Sequence, residues 1–472
     1  MAVMSKIKFG TSGWRAIIAE DFTFENTRLV TAAVAEFLKQ AKPYPSLIVG
    51  YDTRFQADAF AWECAELLSA KGIQAFYCQN ATPTPAISYE ILRRRTDGAI
   101  NFTASHNPGE YCGLKFSTPD GAPALPEVTQ QIESDIEQLR QQESVYNEWT
   151  ANPRLIEKIN PTSEYLKMLS SKVDLPLIRR SGINISYDPL YGTARGYLDK
   201  ILVDFDIPVR TIHNHRDVLF GGRPPEPSEE NLADLRQEVS QSHSRLGLAT
   251  DGDADRFGIL DENGDFILPN QIIALLFDYL LETRGWGEGA ARSVATSHFL
   301  DAVARAQGRK LYETPVGFKY IGELIKEDKI IIGGEESAGL TIKGHVPEKD
   351  GILACLLVAE MVARRARSLN QQLEALQKRL GYFFTIRLNL HLSPELKEKL
   401  KSKLENPPAR LGDKQVTELN RIDGLKMIFE DGTWILLRLS GTEPVARCYV
   451  EAHSQKELDR LTEVAQHFIL EG

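Results

Sequence analysis

From residue 47 onward, short apolar runs rich in β-branched residues alternate with amphipathic stretches of helical period, and that alternation commits most of the chain to layered α/β architecture. Residues 47–52 (LIVGYD) lead into a helix-like 57–71 closed by Gly72, then into 73–78 (IQAFYC) and a further helical stretch after Pro85. The same grammar returns at 182–192 (GINISYDPLYG) with a helix-like 194–202, and at 291–297 (ARSVATS) with a helix-like 299–307 before 310–315 (KLYETP). Open α/β sheets present ligands to the loops that follow the C-terminal ends of their strands, so the chemistry is expected in those loops.

A long helical pattern over 351–367 is followed by polar 368–378, which reads as a linker helix or hinge. Beyond it the style changes. Segments 382–390, 424–431, 432–440 and 446–452 read as successive strands with a helix before and a helix after, and Asp431-Gly432 reads as a hairpin turn. This is α+β grammar for a separate C-terminal domain able to move. At roughly 150 residues per domain the length alone asks for about three domains.

Charge and composition narrow the function classes. The 42% apolar and 25% charged residues are ordinary for a globular chain, and a formal net charge of −10 disfavours nucleic acid or an anionic membrane as partner. An anionic small substrate would need a local basic pocket. The longest apolar run, 352–359, stops at Glu360, far short of the ~20 residues of a membrane span. Residues 1–10 carry no apolar signal core, and the five cysteines (Cys64, Cys78, Cys112, Cys355, Cys448) have no paired or CxxC spacing. These features point to a cytoplasmic protein whose thiols are packed as small hydrophobes.

Four constellations carry chemistry. Thr103-Ala104-Ser105-His106-Asn107-Pro108 follows the strand-like GAINF, where a serine is placed for nucleophilic use among free backbone amides. An ST-turn with His106 as a satisfied loop residue is the plain alternative. Asp251-Gly252-Asp253-Ala254-Asp255-Arg256 follows the strand-like LGLAT. Three carboxylates at alternate positions repel unless a cation lies between them, and oxygen-only ligands select a hard ion such as magnesium. A calcium EF-hand loop ending at Glu262 is the rival, but Arg256 stands where that loop needs glycine; an acidic surface turn is the plain alternative.

Gly333-Gly334-Glu335-Glu336-Ser337-Ala338-Gly339 follows KIIIG, and its carboxylates and hydroxyl can read vicinal sugar hydroxyls, an ordinary strand-to-loop turn being the alternative. Arg438-Leu439-Ser440-Gly441-Thr442-Glu443-Pro444, with Arg447, combines guanidinium forks, hydroxyls and a glycine into a phosphate cradle. A plain hairpin turn with solvated arginines is the alternative there. Phosphoryl transfer to a polyol is the reaction that uses all four segments.

These four segments, in this order, resemble the signature loops of the α-D-phosphohexomutase superfamily, which includes phosphoglucomutases, phosphomannomutases and phosphoglucosamine mutases. The resemblance extends over nearly the whole chain, from Lys8–Ala16 (KFGTSGWRA), which is similar to the family's N-terminal arginine motif, through Arg223-Pro224-Pro225-Glu226-Pro227 to the phosphate loop. It implies three related α/β domains (1–155, 156–256, 257–370) and a C-terminal α+β lid (371–472) around a central cleft. By motif match, Ser105 would carry the phosphoserine, and Asp251, Asp253 and Asp255 would hold magnesium with the serine's phosphate. Arg15, Lys115 and Arg256 would line the transfer site, beside His106. Arg438, Ser440, Gly441, Thr442 and Arg447 would grip the phosphate that is not reacting, while Glu335 and Ser337 read the sugar.

Phe318 and Lys319 resemble the aromatic-lysine pair of the phosphoglucomutase branch, and Glu348-Lys349-Asp350-Gly351 leans the same way, with Lys349 a candidate general acid/base or phosphate ligand against surface salt bridging. The implied activity interconverts glucose 1-phosphate and glucose 6-phosphate, mannose phosphates being further substrates, with glucose 1,6-bisphosphate as activator. A phosphoglucosamine mutase is the alternative within the family. A magnesium-dependent sugar phosphatase and a silent sugar-phosphate sensor are the alternatives outside it. The oligomeric state has no sequence signal.

Overall fold

The structure, a computed structural model, describes residues 7–142, 144–439 and 445–470. Its first sheet has six strands: β1 (Trp14–Ile17), β2 (Ser46–Tyr51), β3 (Gln74–Cys78), β4 (Ala99–Phe102), β5 (Tyr111–Ser117) and β6 (Ile156–Ile159), in the order β1-β5-β4-β2-β3-β6. The centre is parallel, and β5 turns back antiparallel onto β4, so that Lys115 lies opposite Asn101. The second sheet, β7 (Ile185–Asp188), β8 (Val209–Thr211), β9 (Leu246–Thr250) and β10 (Phe257–Leu260), runs β10-β9-β7-β8. β9 and β10 form an antiparallel pair around residues 251–256.

β11 (Gly289–Ser293) pairs in parallel with both β12 (Leu311–Thr314) and β13 (Ile330–Glu335), and β14 (Gly339–Ile342) follows. The last sheet is antiparallel: β15 (Phe384–His391), β16 (Arg410–Leu411), β17 (Lys414–Asn420), β18 (Leu425–Phe429), β19 (Trp434–Leu439) and β20 (Val445–Ala452), in the order β15-β20-β19-β18-β17-β16. The β18–β19 hairpin turns at Asp431-Gly432, where Gly432 N–H donates to Phe429 O at 2.9 Å.

The chain divides into two compact units. The first runs to Pro269 and adds Ile325–Glu327 and Ser337–Leu369; the second holds Asn270–Leu324, Asp328–Glu336 and the chain from Asn370 on. In the first unit an aromatic cluster closes the core beneath the first sheet, with Phe22 edge-on to Phe60 at 5.0 Å and Phe60 stacked on Phe102 at 6.3 Å. The helix Gly351–Arg365 is apolar on every face over 351–359 and is buried as far as Ala363, packed on β9, β10, β14 and the helix Leu175–Ser181. Asp350 caps it by accepting from Leu353 N–H at 2.9 Å.

In the second unit, Trp434 Nε1 donates to the buried Glu451 at 2.7 Å, and the Lys426 ammonium stands over the Trp434 ring at 3.9 Å. Burial, and then the nearby Arg292 charge, push the Lys426 pKa down to about 7.

The structure departs from the sequence expectations at identifiable places. β6 belongs to the first sheet and β10 to the second, so sheet pairing carries past residues 155 and 256. The helix expected over 194–202 starts at Leu198, because Gly196 takes a left-handed φ of 74°. The C-terminal domain also contains the helix Pro394–Glu405 and the strands β16 and β17, none of which the sequence announces. Among the described residues no helix is long and apolar enough to cross a membrane.

All five cysteines are free and buried, and burial pushes the Cys64 and Cys78 thiols up to about 12. The native protein is therefore expected to resist an aromatic disulfide reagent near neutral pH, with all five thiols reacting once guanidinium unfolds it. Rapid labelling of the native state would contradict this packing.

Candidate active site

The site of the first unit assembles at strand ends. Ser105 lies in the loop after β4 with a left-handed φ of 52°, a strained backbone for a residue with a side chain. Its hydroxyl donates to Asp251 Oδ2 at 2.6 Å and approaches His106 Nδ1 at 3.3 Å. The Ser105 N–H is capped by Thr103 Oγ1 at 2.9 Å, so the local turn is held by Thr103 while the serine oxygen faces the acidic loop. Gly252 makes that approach possible: a Cβ there would stand 2.5 Å from the Ser105 carbonyl oxygen.

Asp251, Asp253 and Asp255 are all buried, which removes the surface-turn reading, and each offers an oxygen within 4.8 Å of the others. Strands β9 and β10 flank them, which removes the EF-hand. Lys115 Nζ donates to Asp253 Oδ2 at 2.6 Å and to Asp255 Oδ2 at 2.9 Å, and Lys349 Nζ pairs with Asp255 Oδ2 at 3.1 Å. Lys349 is itself buried and also donates to Glu348 at 3.0 Å, so surface salt bridging is not its role.

Charge distribution follows this packing. Burial, then repulsion from Asp255 and Asp253, raises the Asp251 carboxyl well above its ordinary pKa. Burial works on Asp255 in the same sense, but Lys115 and Lys349 outweigh it and hold that carboxyl below the usual range. Lys115 is in turn held protonated: burial opposes its charge, and Asp253 and Asp255 more than offset that. Burial and the Arg256 and Arg15 guanidiniums keep His106 neutral, with its pKa well below the ordinary imidazole value.

Arg256 N–H donates to Asp251 Oδ1 at 2.9 Å, and its guanidinium pairs with Glu226 at 3.0 Å. Arg15, on β1, reaches the loop through Asn107 Oδ1 at 2.6 Å. Seven predicted residues beside Ser105 thus meet at one place: Arg15, His106, Lys115, Asp251, Asp253, Asp255 and Arg256, with Lys349 joining them.

A hard cation fits this donor set. Asp253 Oδ1 and Asp255 Oδ1 are buried with no hydrogen-bond partner, and an unpaired buried carboxylate oxygen calls for a ligand. Residues that the sequence reading passed over complete the surroundings. Thr84 Oγ1 donates to Asp253 Oδ2 at 2.5 Å and accepts from Asn101 Nδ2 at 2.9 Å, aligning the carboxylate. Asp52 and Arg54, at the C-terminal end of β2, lie beneath the serine loop. The position of Asp52-Thr53-Arg54 after a parallel strand was the available signal.

The other predicted residues lie elsewhere. Phe318 begins the helix Phe318–Lys326 and is buried, while the Lys319 ammonium stands 5.5 Å from the Tyr320 ring centre. Glu335, at the end of β13, accepts from Gly317 N–H at 2.8 Å, which ties the loop before Phe318 to the predicted sugar-reading carboxylate. These three belong to the second unit, whereas Ser337, half-buried, belongs to the first.

Arg438 on β19 and Arg447 on β20 are direct cross-strand partners, an arrangement of like charges that is unfavourable without an anion. Arg438 is pinned by Asp423 at 2.7 Å. Ser440, Gly441 and Thr442, predicted for the same cradle, lie outside the described residues.

Comparison with known proteins bears on all four segments. Family models described as phosphoglucomutase/phosphomannomutase α/β/α domains I, II and III match residues 6–143, 163–264 and 268–380, and the C-terminal domain model matches 395–465. A phosphoglucomutase/phosphomannomutase of Thermococcus kodakarensis is 30% identical over 95% of this chain and 95% of its own. A probable phosphoglucosamine mutase of Methanopyrus kandleri is 29% identical over 98% of this chain and 96% of its own. The crystal structure of a candidate phosphomannomutase from Thermus thermophilus superposes with a TM-score of 0.85 at 30% identity, covering 99% of this chain and 100% of that one.

Because Thr84 orients Asp253, Thr84→Val is expected to weaken magnesium binding by about 10- to 100-fold, measured by titration calorimetry. An affinity equal to wild type would show that the triad does not depend on this hydroxyl.

Proposed function

The chain belongs to the α-D-phosphohexomutase superfamily, whose members are isomerases, and we propose that it interconverts glucose 1-phosphate and glucose 6-phosphate. One observation carries the reading: the Ser105 hydroxyl is seated 2.6 Å from Asp251, at the edge of a buried acidic triad that two lysines already crowd. A serine so placed is a phosphoryl acceptor and donor. In a phosphatase of the DxD type a carboxylate would take that part.

The cycle begins with Ser105 phosphorylated. A free hydroxyl of the hexose phosphate attacks the phosphorus, the bond to Ser105 Oγ breaks, and the sugar hydroxyl's proton is passed on to the departing Ser105 oxygen, giving the hexose 1,6-bisphosphate and a free Ser105 hydroxyl. The intermediate then presents its other phosphate, and Ser105 Oγ takes that phosphoryl group back. The serine proton has two acceptors in reach, Asp251 Oδ2 and the neutral His106 Nδ1. Lys115 and Lys349 supply positive charge around the transferring oxygens, and Lys349 is the candidate for proton exchange with the sugar oxygen. Asp251, Asp253 and Asp255 would hold magnesium, which when bound neutralises charge on the phosphoryl oxygens.

Arg15 and Arg256 steady the phosphoryl group at Ser105. Arg438 and Arg447, with Ser440, Gly441 and Thr442 of the same sequence motif, would hold the phosphate that is not reacting, and Glu335 and Ser337 would read the sugar hydroxyls. Glucose 1,6-bisphosphate starts the cycle by phosphorylating Ser105. The glucose preference rests on the resemblance of the Phe318-Lys319 pair to the aromatic-lysine pair of the phosphoglucomutase branch. The Methanopyrus relative, named for glucosamine, keeps phosphoglucosamine as the second reading.

A coupled assay with magnesium, with and without catalytic glucose 1,6-bisphosphate, tests the proposal on glucose, mannose and glucosamine 1-phosphates. Bisphosphate-stimulated formation of glucose 6-phosphate is expected, with glucose the preferred sugar; free phosphate as the product would overturn the mutase cycle. Ser105→Ala is expected to abolish turnover while leaving the circular dichroism spectrum and melt unchanged, and turnover near wild type would refute the phosphoserine. Arg447→Ala removes a charge-assisted phosphate contact of about 1.5–3 kcal/mol. It should appear mainly as a rise in KM, and an unchanged KM would remove Arg447 from the cradle.

A further inference from the structure

Arg54 is fully buried, and all five of its guanidinium N–H groups are spoken for. Nε donates to Asp52 Oδ2 at 3.0 Å. One terminal nitrogen donates to Pro108 O at 2.6 Å and Tyr111 O at 3.0 Å, and the other donates to Ser105 O and Asn107 O, both at 2.7 Å. Three of the five bonds therefore end on main-chain carbonyls of the loop that carries Ser105, and a fourth on Tyr111, where β5 begins.

The bonds also close a ring around one residue. Ser105 N–H donates to Thr103 Oγ1 at 2.9 Å, Thr103 Oγ1 donates to Asp52 Oδ2 at 2.6 Å, and Asp52 Oδ2 accepts from Arg54 Nε. Arg54 then returns to the carbonyl of Ser105. The residue held at its N–H on one side and its C=O on the other is the one with the left-handed φ of 52°. Asp52 Oδ1 accepts from Arg54 N–H at 2.9 Å, and the guanidinium carbon lies 4.9 Å from the Phe220 ring centre, so the clamp has no free edge.

We propose that Arg54, through the ring it makes with Asp52 and Thr103, is the positioning residue that holds Ser105 in its strained, transfer-competent conformation; the proposal rests on Ser105 being the phosphoryl carrier. Arg54 touches no reacting atom. Its effect is geometric, because in-line transfer in either direction needs the serine oxygen at one place, and a misplacement near 1 Å can slow such a step by about 100-fold. No other side chain could replace it: a lysine keeps the charge but has three donors for five acceptors.

The test uses the full-length protein. Wild type is incubated with glucose 1,6-bisphosphate, and peptide mass spectrometry reads whether one phosphoryl group resides on Ser105; its absence would sink the carrier reading and the clamp with it. Arg54→Lys and Thr103→Val are then compared with wild type in steady-state kinetics, in single-turnover loss of the Ser105 phosphoryl group, and in magnesium-dependent thermal shift.

The expected result is a fall in kcat of about 100-fold for Arg54→Lys and about 10-fold for Thr103→Val, with a parallel fall in the single-turnover rate. KM and the magnesium shift should stay close to wild type, since the acidic triad is held by other residues. A folded Arg54→Lys with kcat near wild type would overturn the assignment, as would a loss confined to KM. Loss of fold or of the magnesium shift in both variants would show that Arg54 serves the domain and not the loop, and would equally overturn it.

Discussion

Three carboxylates buried within 4.8 Å of one another set the terms for the first unit. At a separation near 4 Å and an effective dielectric near 20, each ionised pair repels by roughly 4 kcal/mol. No helix or strand propensity offsets a penalty of that size, so compensating charge must come from elsewhere in the chain. It comes from Lys115 on β5 and from Lys349 just before the helix Gly351–Arg365, segments far apart in sequence that must converge on the loop between β9 and β10. Two carboxylate oxygens still lack partners, and the Asp251 carboxyl is driven toward its protonated form. The site is thus electrostatically incomplete by construction, which suits the entry of a cation.

Close backbone approach makes that convergence possible. Gly252 lets the acidic loop sit against the Ser105 carbonyl, and at Gly351 a Cβ would stand 2.1 Å from the Arg256 carbonyl oxygen. Ser105 and the acidic triad follow the ends of β4 and β9, where the scaffold fixes their direction, while Lys115 projects from within β5. Thr84, Asn101, Asp52 and Arg54 then remove the remaining freedom of Asp253 and Ser105. The reactive side chains are few; most of the hydrogen bonding at the site fixes their direction.

How much of this the sequence disclosed follows from how local each signal is. The parallel strands of the first two sheets are buried on both faces and appear as apolar runs, so β2, β3, β7 and β9 were legible. β17 buries little, with only Lys414 buried and Thr417, Glu418 and Leu419 exposed in succession, and it left no apolar run to read. The serine loop and the acidic loop are contiguous motifs and could be recognised as such. For Arg54 the only signal was its place after a parallel strand, because four of its five guanidinium partners are main-chain carbonyls, which have no residue identity. The like-charge partnership of Arg438 and Arg447 likewise needed the β19–β20 register, since nine residues of sequence separation alone do not place two side chains on one face.

The proposed roles divide between the two units. The first unit contains Ser105, the acidic triad and the lysines, to which the proposal assigns phosphoryl transfer. Phe318, Lys319, Glu335, Arg438 and Arg447, to which it assigns the sugar and the second phosphate, belong to the second unit, so that variation there would retune the sugar and leave the transfer residues unchanged. Relatives named for glucose, mannose and glucosamine phosphates at about 30% identity are what such a partition produces. A mutase also imposes a requirement that ordinary enzymes escape, because its intermediate must be accepted in two orientations. A pocket complementary to one ring pose would reject the other. Arg438 and Arg447 stand directly opposite each other on β19 and β20, and in the proposed cycle two such guanidiniums would recognise a phosphate by charge and fork geometry, whichever carbon bears it.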